Sequence, residues 1–181
     1  HKGSLMKVMA MLIMGADPLT LYEDTPLHFS LIKQCLRLDS NTGRTDVEDQ
    51  DSGDRKATAN VIGALVRYGA TLDTVCPKED LTALQMAAMD SNAKMCDWIL
   101  NRGADPDRLS GPSLSNCTAL MLGAKYGAIA ALSVILRFCA NIDIQDANGD
   151  TALHYAAKYG QSRACKFLLR VGAGRKYRNK D

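Results

Sequence analysis

The sequence has few of the residues that enzymes and metal sites use. It contains only three histidines, and one of them is the first residue of the chain. It has no H-E-x-x-H motif, no G-x-S-x-G turn and no phosphate-binding P-loop. The six cysteines form no C-x-x-C pair and lack the spacing of a secreted disulfide framework. We therefore expect reduced thiols, no cofactor and no bound metal, in a protein of the cytoplasm or the nucleus.

Long apolar runs and an excess of one charge are also missing. No stretch reaches the roughly 18 uncharged apolar residues that a membrane span requires. The 22 basic and 20 acidic residues give a formal charge of +2, so no global field favours a membrane or a nucleic acid. An apolar content of 46% is enough to build a core. Because the chain begins with His1 rather than methionine, we expect an excised or tagged fragment of a longer protein.

The sequence does contain a repeated pattern with two anchors. A Thr-x-Leu-x tetrapeptide begins at positions 25, 82, 118 and 151, and a Gly-Ala pair or a relative begins at positions 15, 69, 103, 139 and 172. In the last three repeats the two anchors are 21 residues apart. Successive repeats follow at 33 to 36 residues, and a period of this length is typical of solenoid proteins.

Each repeat carries the signals of two helices joined by a turn. A threonine before a helical run can cap the helix by accepting a hydrogen bond from a free backbone N–H. Small residues such as Ala87-Ala88 allow the first helix to pack closely on its neighbour, and larger ones such as Trp98-Ile99-Leu100 fill the second helix. A left-handed glycine closes the second helix. Cys139 replaces that glycine in one repeat, which should cost about 1 kcal/mol if the backbone stays left-handed.

With these features the sequence resembles the ankyrin-repeat family, most closely over residues 146–173, DANGDTALHYAAKYGQSRACKFLLRVGA. The family pattern runs roughly D-x-x-G-x-T-P-L-H-x-A-A-x-x-G, then a second helix ending in a leucine pair, then G-A-D. The resemblance covers essentially the whole chain except one insertion. It implies an all-α solenoid of stacked antiparallel helix pairs with hairpin loops, and no enzymatic activity.

The register of the repeats divides the chain. We expect a partial repeat at 1–17, a repeat at about 20–72, repeats at about 77–108, 113–143 and 146–176, and a truncated hairpin at 177–181. The repeat at 20–72 has an insertion at about 39–56 with six acidic and three basic residues, which is typical of a solvated loop. We expect deletion of Ser40–Arg55 to leave the fold intact. Further repeats or domains are expected in the parent protein.

Cysteine and histidine have structural interpretations within this family. His154 occupies the fourth place of the tetrapeptide, where the family uses histidine to hydrogen-bond the neighbouring turn. Cys96 and Cys165 fall at the same inward position of the second helix and are predicted to be core residues. Cys76 and Cys117 lie in the hairpins and are predicted to be exposed.

The first helices and hairpin tips of such a stack form a concave surface whose side chains are free to vary. Its last two repeats share a Lys-Tyr pair, at 125–126 and 158–159, and lysine with tyrosine offers contact area, hydrogen bonding and charge. Soluble helix ends would also use these residue types. The protein-binding residues that we predict are Tyr22, Lys33, Lys78, Met89, Asp90, Ser115, Lys125, Tyr126, Asn148, Asp150, Lys158 and Tyr159.

The resemblance implies a protein–protein interaction module that recognises a partner protein through this concave surface. Two alternatives stay open: a regulatory or scaffold domain of a larger enzyme or channel, and a transcription-regulatory ankyrin module. The basic tail at 175–180 could touch nucleic acid, but a truncated hairpin with solvating charge is the favoured interpretation. We expect neither a membrane nor a nucleic acid as a partner.

Overall fold

A computed structural model describes residues 71–180, together with residues 21–22, 25–26, 63 and 66. The predicted partial repeat at 1–17 and the acidic insertion at 39–56 lie outside the described residues. The chain divides into two compact units, His1–Leu72 and Asp73–Asp181. In the first unit, β1 (Leu21–Tyr22) pairs antiparallel with β2 (Thr25–Pro26).

The second unit consists of helix pairs joined by three-residue turns. The first helices of the pairs are α1 (Ala83–Met89), α3 (Ala119–Lys125) and α5 (Ala152–Lys158), and the second helices are α2 (Ala93–Leu100), α4 (Ile129–Arg137) and α6 (Ser162–Arg170). Such short connections make the two helices of a pair antiparallel neighbours. Helix α3 packs between α1 and α5, and α2 packs on α4. The predicted all-α stack of helix pairs is confirmed.

Threonine begins each first helix, as predicted. Thr82 Oγ1 accepts a hydrogen bond from the Gln85 backbone N–H at 3.3 Å, and Thr118 makes a bond of the same length. At the third helix, the backbone N–H of Thr151 donates to His154 Nδ1 at 3.1 Å. These bonds satisfy polar groups that the start of a helix would otherwise leave without partners.

Small side chains allow the first helices to approach closely. Ala88, Ala124 and Ala156 are fully buried. A Cβ added at Gly123 would lie 3.1 Å from Leu132 Cδ2, which is closer than most Cβ contacts, so α3 and α4 pack tightly at this glycine. Ala157 is exposed, which differs from the predicted role of the small pair in that repeat.

Residues in the left-handed backbone conformation end the second helices. The φ angles of Gly103 and Gly172 are +85° and +101°, and Cys139 has φ +62° at the equivalent position. Cys139 therefore keeps the glycine conformation despite its Cβ, and the strain predicted for this case, about 1 kcal/mol, applies.

Backbone hydrogen bonds join each hairpin to the next. The N–H groups of Gly111, Ala147 and Lys180 donate to the carbonyls of Asp80, Ser115 and Asn148 at 2.8, 2.8 and 2.9 Å. The last of these bonds places the tail of the chain against the hairpin at 147–150. The tail thus occupies the position of a further hairpin strand.

Aspartate side chains form a second series of bonds between repeats, which we call the carboxylate ladder. Its members are Asp73, Asp107 and Asp143, which accept from the backbone N–H groups of Asp105, Asn141 and Gly174 at 2.9, 2.9 and 2.8 Å. Burial raises the pKa of the Asp73 and Asp107 carboxyls. Each ladder residue stands four positions after the closing residue of its repeat.

The prediction that the hairpin cysteines are exposed is wrong. Cys76 and Cys117 are buried, with 0% and 1% of their surface exposed. The thiol of Cys117 donates to the Leu114 carbonyl at 3.0 Å and lies 3.6 Å from Ser110 Oγ, so its polar contacts are with residues a few positions earlier in the chain. Cys96 is buried as predicted, and Cys165 is only half-buried.

Within residues 71–180 no helix combines the length and the apolar character needed to cross a membrane.

Candidate functional site

A groove of about 220 Å³ opens between the hairpin tips and the first helices of the last two repeats. Six of the predicted binding residues line it: Ser115, Lys125, Asn148, Asp150, Lys158 and Tyr159. Positions far apart in the sequence thus share one concave feature. The groove is the part of the described surface where the predicted residues come together.

The two Lys-Tyr pairs form one continuous surface at the edge of this groove. Lys125 Nζ lies 4.8 Å from the centre of the Tyr159 ring and 5.5 Å from that of Tyr126. Both rings remain nearly half exposed, at 45% and 46%. A cation near an aromatic face is held by a cation–π interaction. Gln161 Nε2 also donates to the Lys125 carbonyl at 3.1 Å, which ties the turns of the two repeats together.

Tyr155 lines the groove but is absent from the predicted set. Its ring stacks on that of Tyr159 with centroids 6.3 Å apart, and its hydroxyl donates to Asp146 Oδ2 at 2.9 Å. Burial raises the pKa of the Tyr155 phenol well above its ordinary value, so this hydroxyl stays a donor at neutral pH. The spacing of 155 and 159 places both rings on one helix face, a signal present in the sequence.

Asp150 has a structural role, in contrast to the expectation that hairpin side chains do not support the stack. It is buried, with 5% of its surface exposed, and its Oδ1 accepts from Asn179 Nδ2 at 3.0 Å. The carboxylate thereby fixes the tail against the hairpin. Asn148 has an exposed side chain, and Ser115 is half-buried.

The remaining predicted residues do not line the groove. Lys78 is exposed in the hairpin before α1, and Asp90 is exposed at the end of α1 beside the half-buried Met89. Burial raises the pKa of the Asp90 carboxyl. Tyr22 is described only through its place in β1, and Lys33 lies outside the described residues.

His154 supports the fold, but through its own repeat rather than the neighbouring turn. Its Nδ1 accepts from the Thr151 N–H at the start of the same helix. Gln85, at the equivalent place two repeats earlier, bonds both to the end of its own repeat and to the next repeat. Its Nε2 donates to the carbonyls of Arg108 and Cys117 at 2.8 and 3.1 Å.

Comparison with known protein families gives two matches. A model described as ankyrin repeats in three copies matches residues 109–181, and a model of the single ankyrin repeat matches residues 79–110. Together the matches extend over residues 79–181, which is more than half of the chain.

Several known proteins are similar to the chain over part of their length. Neurogenic locus notch homolog protein 2 of Homo sapiens is 25% identical over 164 residues, covering 74% of this chain and 7% of the relative. SH3 and multiple ankyrin repeat domains protein 2 of Homo sapiens is 28% identical over 153 residues, covering 67% and 8%. Inversin of Mus musculus is 30% identical over 109 residues, covering 59% and 10%. The chain therefore spans a tenth or less of the length of these relatives.

Proposed function

The chain belongs to the ankyrin-repeat family, and we propose that it is a non-enzymatic module that binds a partner protein through the groove at Lys125 and Lys158. Ankyrin repeats are in general protein-interaction modules, and stacked repeats create extended concave binding surfaces. The free cysteines among the described residues, including the exposed Cys139, support a reducing compartment, the cytoplasm or the nucleus.

The observation that carries this proposal is the joining of the two Lys-Tyr pairs across a repeat boundary. Tyr126 and Tyr159 expose nearly half of their large rings, and Lys125 lies between them. Tyrosine is enriched at protein interfaces because it offers a rigid apolar ring together with a polar tip. Exposed tyrosines beside a groove are therefore suited to become binding hot spots.

Charge reversal at the groove tests the proposal. We expect Lys125→Glu/Lys158→Glu to lower the capture of partner proteins from a native lysate about tenfold, a loss of about 1.4 kcal/mol. The melting temperature should change by no more than a few degrees, because the cation–π contacts of Lys125 lie at the surface, where each contributes only about 0.5–1 kcal/mol.

The matched control is Lys94→Glu/Lys166→Glu, which changes the net charge equally on exposed residues of the second helices. It should leave capture unchanged. Equal loss in both variants, or a collapsed melting transition in the groove variant, would contradict a specific binding role for the groove.

A second candidate is a regulatory or scaffold domain of a larger enzyme. It is favoured by the small share of each relative that the chain covers, and by relatives whose names denote an E3 ubiquitin-protein ligase and a palmitoyltransferase. In this case the groove would bind a segment of its own parent protein. Capture by the groove of a segment encoded in the same gene would support this candidate.

A further inference from the structure

Charge is distributed unevenly along the described repeats. Residues 151–180 contain eight lysine or arginine residues and no aspartate or glutamate, whereas residues 71–150 contain ten acidic and six basic residues. In the last helix pair, Arg163, Lys166 and Arg170 are exposed on α6, and Lys158 is exposed at the end of α5. The groove therefore opens at the positive end of the described stack, a polarity that the net charge of the whole chain conceals.

The groove itself also favours a negatively charged ligand. Lys125 and Lys158 line the groove together with Tyr155 and Tyr159, and Lys125 Nζ lies 4.8 Å from the centre of the Tyr159 ring. Asp150 is the single acidic residue among those lining the groove. The two lysines outnumber this one carboxylate, so the charged side chains that line the groove sum to +1.

This inference rests on the proposed function and specifies the partner. We infer that the groove binds an extended acidic peptide segment, with carboxylates paired to Lys125 and Lys158 and an apolar side chain placed against the tyrosine rings. Opposite charges would steer the encounter, and the aromatic contact would supply buried area.

The spacing of the two lysines suggests the form of the peptide. They end neighbouring first helices, and packed helices lie about 8–10 Å apart. A polyproline II segment has three residues per turn and rises about 3.1 Å per residue, so carboxylates three positions apart lie on one face about 9 Å apart. A nucleic acid is less well matched, because strong binding to phosphates uses a longer row of cations than the two in the groove.

The test uses a short, fluorescently labelled proline-rich peptide with glutamate at every third position. Its controls are the same peptide with glutamine at those positions and an oligothymidylate of equal charge. In fluorescence anisotropy titrations we expect the glutamate peptide to bind about tenfold more tightly than the glutamine peptide. Lys125→Glu/Lys158→Glu should abolish the difference, Lys94→Glu/Lys166→Glu should preserve it, and added salt should reduce it.

Failures of the inference and of the proposed function give different results. If both peptides bind equally while lysate proteins are still captured only by an intact groove, the acidic-peptide inference is overturned and the proposed function stands. If capture does not depend on the groove, the proposed function is itself overturned. Tighter binding of the oligothymidylate than of the glutamate peptide would overturn the inference in favour of a nucleic acid.

Discussion

The ammonium group of Lys125 lies 4.8 Å from the centre of the Tyr159 ring, although the two residues belong to successive repeats. The contact connects the end of one first helix with the end of the next. It also fixes where the positive charge and the aromatic surface of the groove lie relative to each other. One pair of residues thus contributes to both the stack and the proposed binding surface.

A double-mutant cycle measures this contact. We expect Lys125→Met and Tyr159→Leu to show a coupling energy of about 0.5–1 kcal/mol in urea unfolding, as is found for exposed cation–π pairs. Tyr177, which is also exposed, provides the control. Lys125→Met and Tyr177→Leu should be additive, and equal coupling in both cycles would argue against a specific Lys125–Tyr159 interaction.

Gln85 is expected to be among the most sensitive residues of the stack. It is fully buried, and its Oε1 accepts from the Thr82 N–H at 2.8 Å while its Nε2 donates to the carbonyl of Arg108 and to that of Cys117 in the next repeat. Gln85→Leu leaves these groups without partners, so the free energy of unfolding should fall by about 2–3 kcal/mol in urea denaturation. Met86→Leu, at the half-buried adjacent position, should cost much less. Equal losses would refute the role of the side-chain amide.

Cys139 offers a site for stabilisation. Its φ of +62° is strained for a residue with a Cβ, so Cys139→Gly should raise the free energy of unfolding by up to about 1 kcal/mol. Cys139→Ala removes the thiol and keeps the strain, and should give no such gain. A larger gain for alanine than for glycine in thermal or urea unfolding would show that the thiol, rather than the backbone, limits stability here.

The carboxylate ladder predicts a pH dependence with a defined sign. Burial raises the pKa of Asp107 in the folded state, so ionising it destabilises the fold as the pH rises through that pKa. Asp107→Asn keeps an oxygen acceptor but carries no charge. The free energy of unfolding of this variant, minus that of the wild type, should therefore be larger at about pH 7 than at about pH 3.5, which is below the usual aspartate pKa.

Asp80 is the control of opposite sign. Hydrogen bonds from the Ser113 hydroxyl and N–H lower the pKa of the Asp80 carboxyl, so its ionised form stabilises the fold above the ordinary pKa and that benefit is lost on acidification. The free energy of unfolding of Asp80→Asn, minus that of the wild type, should thus be smaller at about pH 7 than at about pH 3.5. Urea unfolding at both pH values measures the two variants, and shifts of the same sign would contradict these assignments.

The helices could be predicted from the sequence because their signals are local and repeated. Thr82 and Thr118 cap helices through contacts only three residues away. Gly103 and Gly172 close helices through their own backbone conformation. The regular distance between these two kinds of residue then fixed the register of the last repeats, and with it the neighbours of Lys125.

The hairpins were harder to predict because their side chains depend on the next repeat. Cys117 is buried although it lies in a hairpin, and Asp150 is bonded to Asn179, 29 residues later. The sequence distance between anchors does not specify which hairpin side chains turn inward. The carboxylate ladder did leave a sequence signal, an aspartate four residues after the closing positions 69, 103 and 139, although finding its partners required the structure.

Site-specific photo-crosslinking would show whether a partner protein binds at the groove. A photoreactive phenylalanine analogue would replace Tyr126 beside the groove or, as a control, Lys94 on a second helix, both of them exposed positions. We expect that after irradiation in a native lysate a partner protein is attached at position 126 and not at position 94. Attachment at position 94 alone would contradict binding through the groove.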